Sequence, residues 1–232
     1  MRGLALALML LAGAAQAGPD QSPRPMSRPD EASLRPLPRP GGVQLAALPP
    51  ARVTQPALRK AALCGIEGLA GRKIAPITSR IPGCGLEDGV EVTHVSGIPL
   101  SIPAQVDCGT AAALKRWVDR GILPAVGNRG GGVARLEIAG SYACRPRNNQ
   151  SGGKVSEHGR GHALDLAGLK LRSGEVITVA QGWRSRNGAV LHRIHASACG
   201  TFGTVLGPEA DRFHQDHIHV DTAQNRGGAY CR

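Results

Sequence analysis

Aromatic rings are scarce in this sequence: among 232 residues there are two Trp, two Tyr and two Phe. Proteins that hold single-stranded nucleic acid stack bases on successive aromatic side chains, so this scarcity argues against a nucleic-acid partner. Acidic residues are also few, with 17 Asp and Glu against 28 Lys and Arg, a net charge of +11. Such a balance suits polyanionic partners. None of the six cysteines forms a C-x-x-C pair, which disfavours a thiolate-bound zinc or a thioredoxin-like redox centre. After the first residues no apolar run reaches the roughly 20 residues of a spanning helix, so no stable membrane insertion is expected. Internal repeats are absent.

What is present divides the chain into three parts. Residues 1–17 read as a secretory signal peptide, with Arg2 ahead of an apolar run from Leu4 to Ala14 and a small-x-small site at Ala15-Gln16-Ala17. Residues 18–58 hold ten of the 17 prolines. Proline removes amide donors and fixes φ, so this stretch is expected to be a disordered linker or tether. Residues 59–232 are then one domain, and they contain all six cysteines, Cys64, Cys84, Cys108, Cys144, Cys199 and Cys231. An even count in an exported chain predicts disulfides. Cys231 would pin the tail to the body, but the spacing does not choose among the possible pairings. The expected location is periplasmic or secreted, where the basic charge would meet anionic envelope polymers.

Within the domain, Ala111, Ala112, Leu114, Trp117 and Val118 share a helical face, in a stretch that starts at Cys108 and that Gly121 is expected to end. Alternation predicts a half-buried strand over Val133–Ile138. Residues 146–161 read as a loop. His162–Leu171 and Glu175–Ala180 form a hairpin about Ser173-Gly174. A helix is expected over Asn187–Ala198, and short strands over Phe202–Leu206 and Ile218–Val220. Strands and helices do not alternate regularly, which predicts an α+β fold with an antiparallel sheet and flanking helices.

Five histidines cluster with carboxylates in two stretches, Ser156-Glu157-His158-Gly159-Arg160-Gly161-His162-Ala163-Leu164-Asp165 and His214-Gln215-Asp216-His217-Ile218-His219-Val220-Asp221. Three N or O ligands with one open position define a catalytic zinc site. On a strand, His217 and His219 share a face. Glycines at 159 and 161 let a loop His158 and a strand Asp165 converge.

The first stretch matches Ser-x-His-x-x-Gly-x-Ala-x-Asp, the signature of the D-alanyl-D-alanine peptidase family, at Ser156, His158, Gly161, Ala163 and Asp165. His217-x-His219 resembles the second signature of a wider group that includes lysostaphin-type and penicillin-insensitive murein endopeptidases and the Hedgehog zinc domain. The region from Cys64 to Cys231 resembles the bacterial extensin-like C-terminal domain, placed in that group. The resemblance implies a Hedgehog/D-alanyl-D-alanine peptidase-like zinc fold, with one zinc ion held by His158, Asp165 and His219. It implies a peptidase or amidase acting on peptidoglycan peptides; the alternative is a non-catalytic, zinc-stabilised wall-binding module. Two residues compete as general base. Asp216 stands where the peptidases place a Glu, but is shorter by a methylene. His217 stands where the endopeptidases keep a His. An ideal strand turns Asp216 away and favours His217, whereas a strand beginning only at 217 lets Asp216 turn inward. Arg145, with Arg147 as alternative, is the expected holder of a substrate carboxylate or oxyanion. Asp221 can orient a ligand imidazole from behind. His162 and His214 fall outside the fixed positions and read as incidental, with a place in the cleft lining as the alternative for His214.

Overall fold

The computed structural model describes residues 54–224 and 227–232. The expected signal peptide, and the expected linker up to residue 53, lie outside the described residues. Helix α1 (Gln55–Lys60) straddles the expected boundary at 58/59, carries Pro56 in its first turn and buries Leu58. The strands follow as β1 (Ala62–Leu63), β2 (Ile66–Glu67), β3 (Leu69–Lys73), β4 (Gly89–Val95) and β5 (Ile98–Asp107). Next come α2 (Cys108–Trp117), a π-helical turn (Val118–Ile122), α3 (Leu123–Val126) and β6 (Val133–Gly140). The chain continues through β7 (Ala163–Leu171), β8 (Val176–Thr178), α4 (Val179–Gly182) and α5 (Gly188–Ala198). It closes with β9 (Thr204–Leu206), β10 (Ile218–Asp221) and β11 (Tyr230–Cys231).

The architecture is α+β, but the sheet is mixed, which corrects the antiparallel expectation. Its order is β11-β9-β10-β7-β6-β5-β4-β3-β1-β2, with β8 added on β7. Three pairings are parallel: β1 with β3, β5 with β6, and β9 with β11. Parallel neighbours need a long crossover, and for β5 and β6 the helical segment from Cys108 to Val126 supplies it. That segment does not stop at Gly121. A Cβ at Gly121 would lie 2.2 Å from Ser197 Oγ, so the missing side chain lets the π-helical turn press against α5. The second arm of the expected hairpin is also shorter than predicted: β8 ends at Thr178, whose side chain caps α4 by accepting from the Gln181 amide.

The helices cover one face of the sheet. Trp117 is fully buried, meets Phe202 edge-on at 5.6 Å, and donates its Nε1–H to the Ile194 carbonyl at 3.0 Å. Leu164 and Leu166 of β7 and Ile218 and Val220 of β10 point into this core. Burial of each such side chain is worth roughly 1.5–3 kcal/mol. A one-residue slip of either strand would turn its apolar set outward. The register is therefore firmly held, with Ile218 opposite Leu166, His219 opposite Asp165 and Asp221 opposite Ala163. The intervening polar residues face away from the helices, and they build the site.

Three disulfides brace the domain: Cys64–Cys108, Cys84–Cys144 and Cys199–Cys231. The last ties β11 to the end of α5, so Cys231 does anchor the tail. Closing loops of 44, 60 and 32 residues stabilises a domain by about 3–4 kcal/mol each in the chain-entropy view. The bridges fit a non-cytoplasmic compartment. Among the described residues no helix is long and apolar enough to cross a membrane.

Candidate metal centre

Cross-strand pairing puts His219 of β10 beside Asp165 of β7, and His219 Nδ1 lies 2.9 Å from Asp165 Oδ1. On the opposite side of β7, Asp165 pairs with Gly140 of β6. A Cβ at Gly140 would stand 3.0 Å from Asp165 Oδ2, so the glycine there makes room for the carboxylate.

The third member, His158, arrives on a 3₁₀ turn (Glu157–Arg160) that ends at Gly161. Gly161 has φ +71°, and a Cβ there would run into Leu86 at 2.6 Å. This accounts for the fixed glycine of the motif: the chain must turn in the left-handed region to pass from His158 into β7. Backbone bonds hold the turn, with the Ala143 amide donating to the His158 carbonyl at 3.2 Å and the Gly85 amide to the Gly159 carbonyl at 2.8 Å.

These three side chains form a buried group that can hold a metal ion. His158 Nε2 lies 3.1 Å from His219 Nδ1 and 3.2 Å from Asp165 Oδ2. A tetrahedral ion with ligands at about 2.0–2.1 Å has ligand–ligand edges of about 3.3 Å. The two ring nitrogens, 3.1 Å apart, are close to such an edge; His219 reaches Asp165 Oδ1 at 2.9 Å and His158 reaches Oδ2 at 3.2 Å, and one donor atom from each residue lies within 4.8 Å of the other two. The far ring nitrogens are held as metal-bound imidazoles usually are. His158 Nδ1 donates to the Ser141 carbonyl at 2.5 Å, and His219 Nε2 donates to Asp221 Oδ2 at 3.2 Å. Two imidazoles and one carboxylate are a donor set suited to zinc.

Without metal, charge pairing holds the triad. Burial would lower the His219 pKa, but its bonds to Asp165 and Asp221 prevail and push it up to about 9. Burial would raise the Asp165 pKa, yet the two imidazoles hold it well below the carboxylate range. His219 is therefore an imidazolium at neutral pH in the metal-free protein, and a metal must displace its Nδ1 proton.

Above the triad lies a cleft of about 550 Å³ whose lining includes Arg145, Arg147, Phe213, His214, Asp216 and His217. Strand β10 begins only at Ile218, so Asp216 and His217 both precede it. The two candidate bases do not oppose one another across a strand; they form a pair. His217 Nδ1 donates to Asp216 Oδ1 at 2.7 Å, and His217 Nε2 faces Asp165 Oδ1 at 3.6 Å. Arg145 lines the cleft, and among the described residues no carboxylate pairs with its guanidinium. Arg147 is partly neutralised by Glu157 at 3.2 Å.

His214, incidental by its place outside the fixed motif positions, does line the cleft. His214 is buried in the cleft wall, with its ring 5.2 Å from that of His217 and 5.7 Å from that of His219. Its Nδ1 donates to Asp211 Oδ1 at 2.8 Å, which leaves Nε2 as the free nitrogen. Burial pushes its pKa down, against the pull of Asp211. An Asp three residues before a His was the available signal. His162 lies apart from the triad, between Glu157 at 3.3 Å and Asp107 at 3.7 Å.

Residues 65–232 match the family described as Extensin-like protein C-terminus. No curated protein and no solved structure matches the chain.

Proposed function

The chain belongs to the extensin-like C-terminal family, and we propose that it is an exported zinc-dependent peptidase or amidase with a fold akin to the Hedgehog and D-alanyl-D-alanine peptidase group. Its substrates are peptidoglycan peptides in the periplasm or outside the cell, reached after removal of a signal peptide and with a Pro-rich tether ahead of the domain. One observation carries this reading. The buried His158–Asp165–His219 triangle floors a cleft in which a carboxylate-backed imidazole, His217, faces the same point. A metal held only for stability needs no such neighbour.

His158 Nε2, His219 Nδ1 and a carboxylate oxygen of Asp165 would hold the ion. When bound, zinc supplies Lewis acidity, which polarises an amide carbonyl and acidifies water. His217 Nε2 takes the proton of the attacking water and returns it to the leaving amine. Asp216 fixes the His217 tautomer by accepting from Nδ1. This gives Asp216 an orienting role and the base role to His217. His214, held by Asp211, supplies a second imidazole for hydrogen bonding to the reacting centre. Arg145 binds a substrate carboxylate or the developing oxyanion.

The test is digestion of purified muropeptides, crosslinked and uncrosslinked, by the zinc-loaded protein with and without a chelator. New amine termini that vanish with chelator are expected. Unchanged substrate under zinc, with intact sacculi still bound after His217→Ala and Asp216→Ala, would instead support the non-catalytic wall-binding module.

A further inference from the structure

The three disulfides have different neighbours. Cys64–Cys108 joins the β1–β2 turn to the start of α2, and Cys199–Cys231 joins α5 to β11. None of the six cysteines lines the cleft, so the bridges differ in the segments they join. Cys84–Cys144 joins two segments that lack a named strand or helix, residues 74–88 between β3 and β4 and residues 141–146 after β6. Both segments touch the turn that carries His158. Ser141 accepts from His158 Nδ1, Ala143 donates to the His158 carbonyl, and Gly85 donates to the Gly159 carbonyl. The bridge itself presses on the turn, since a Cβ at Gly159 would lie 3.0 Å from Cys84 Sγ. Arg145, which among the described residues pairs with no carboxylate, is the residue next to Cys144. Residues 78–83 of the outer segment are exposed, and besides the disulfide the segment is held by an isolated bridge between Ile77 and Leu86, by the buried Leu86 side chain, by the Ile74 amide on the Gly89 carbonyl and by Arg160 Nε on the Gly83 carbonyl at 3.3 Å.

We propose that Cys84–Cys144 is a positioning crosslink for the metal centre. It clamps the two segments around the 157–160 turn, and so sets the His158 ring and the Arg145 arm. Opening it loosens the metal without unfolding the domain, whose core and strand register lie elsewhere. The inference rests on the metal reading above but not on hydrolysis.

The experiment compares two double variants of the full chain, Cys84→Ser/Cys144→Ser and Cys199→Ser/Cys231→Ser. Zinc affinity is read by competition with a chromogenic chelator, and thermal unfolding is measured on the metal-free proteins. Groups that orient metal ligands typically contribute 10–100-fold in affinity, so a loss of about that size is expected for the first variant. Less than about a threefold change is expected for the second, while both lose thermal stability as severed long loops do. Equal affinity losses in the two variants, or an unchanged affinity in the first, overturn the assignment. Should the first variant fail to fold, the folded wild type is opened with a water-soluble phosphine. The phosphine becomes its oxide as the S–S bond becomes two thiols, with water supplying the oxygen and both protons. Alkylation and peptide mass mapping then give the fraction of Cys84–Cys144 opened. Zinc retention that falls with that fraction supports the crosslink role, and retention independent of it refutes it. A wild type that takes up no zinc refutes the metal reading and this inference together. Zinc uptake without muropeptide cleavage refutes only the hydrolase reading.

Discussion

The floor of the cleft and its rim are built by different means. Asp165 and His219 stand on adjacent strands, and their meeting follows from a register that the apolar residues on the other face enforce. His217, Asp216, His214 and Arg145 lie outside the strands, and hydrogen bonds, a disulfide and short-range chain geometry place them. Asp165 and His219 are therefore coupled to global stability, while the rim positions, and His158 on its 3₁₀ turn, can change with less cost to the fold. On the proposed reading, binding belongs to the floor and turnover to the rim, so the two are separable by mutation.

The largest effect expected is at the floor. Replacing Asp165 or His219 by Ala removes one of three protein ligands. Zinc binding of about 10–16 kcal/mol spread over a ligand set puts the loss at roughly 100-fold or more in affinity, seen by chelator competition. At the rim, His217→Ala should leave zinc affinity nearly intact and lower the rate of muropeptide cleavage by about 10²–10⁴-fold, the usual contribution of a general base. A comparable drop in zinc affinity for His217→Ala would dissolve the distinction between the two regions.

Next in size is a pH effect that also belongs to the floor. In the metal-free protein His219 titrates near 9, above its unfolded value of 6.5. A raised pKa in the folded state stabilises fully below the unfolded value, and that stabilisation fades as pH rises through the folded one. Metal-free stability should thus fall by a few kcal/mol between about pH 6.5 and 9.5. Zinc-bound protein holds a neutral imidazole at both ends of this window and should lack the slope. Urea unfolding at stepped pH, with and without zinc, checks this. A slope that zinc leaves unchanged would place the titration elsewhere.

How much of this was legible in the sequence follows the same division. The motif from Ser156 to Asp165 and the His217-x-His219 pair brought the three donor residues to notice, and the structure places them together. The helix face around Trp117 and the hairpin about Ser173-Gly174 were also readable, because each is local. Contacts between distant segments were not. The sheet from β1 to β5 went unread: Pro99 and Pro103 lie inside β5, where proline argues against a strand, and a register shift in β4 breaks its alternation. The parallel pairing of β5 with β6 depends on the crossover through α2 and α3, which no periodicity reveals. His214 read as incidental, with the cleft lining only as an alternative, because its orienting Asp211 lies in irregular chain rather than in either motif. The disulfide partners, separated by 32 to 60 residues, left no local trace.

The smallest effect expected comes from two carboxylates with like duties on opposite sides of the divide. Asp221 backs His219 from a buried strand position, and Asp216 backs His217 from a side chain that remains 75% exposed. Removing a buried orienting carboxylate typically lowers metal affinity 10–100-fold, and Asp221→Asn should do so. Asp216 competes with water for its partner, and exposed charged pairs are worth about 0.2–1 kcal/mol, so Asp216→Asn should slow cleavage by less than about fivefold. Zinc affinity should not move. A loss as large as that of His217→Ala would arise either from Asp216 taking the proton or from an amide that turns His217 to the wrong tautomer. The pH–rate profile separates these outcomes, since the acid limb moves on His217 substitution only if the imidazole is the base.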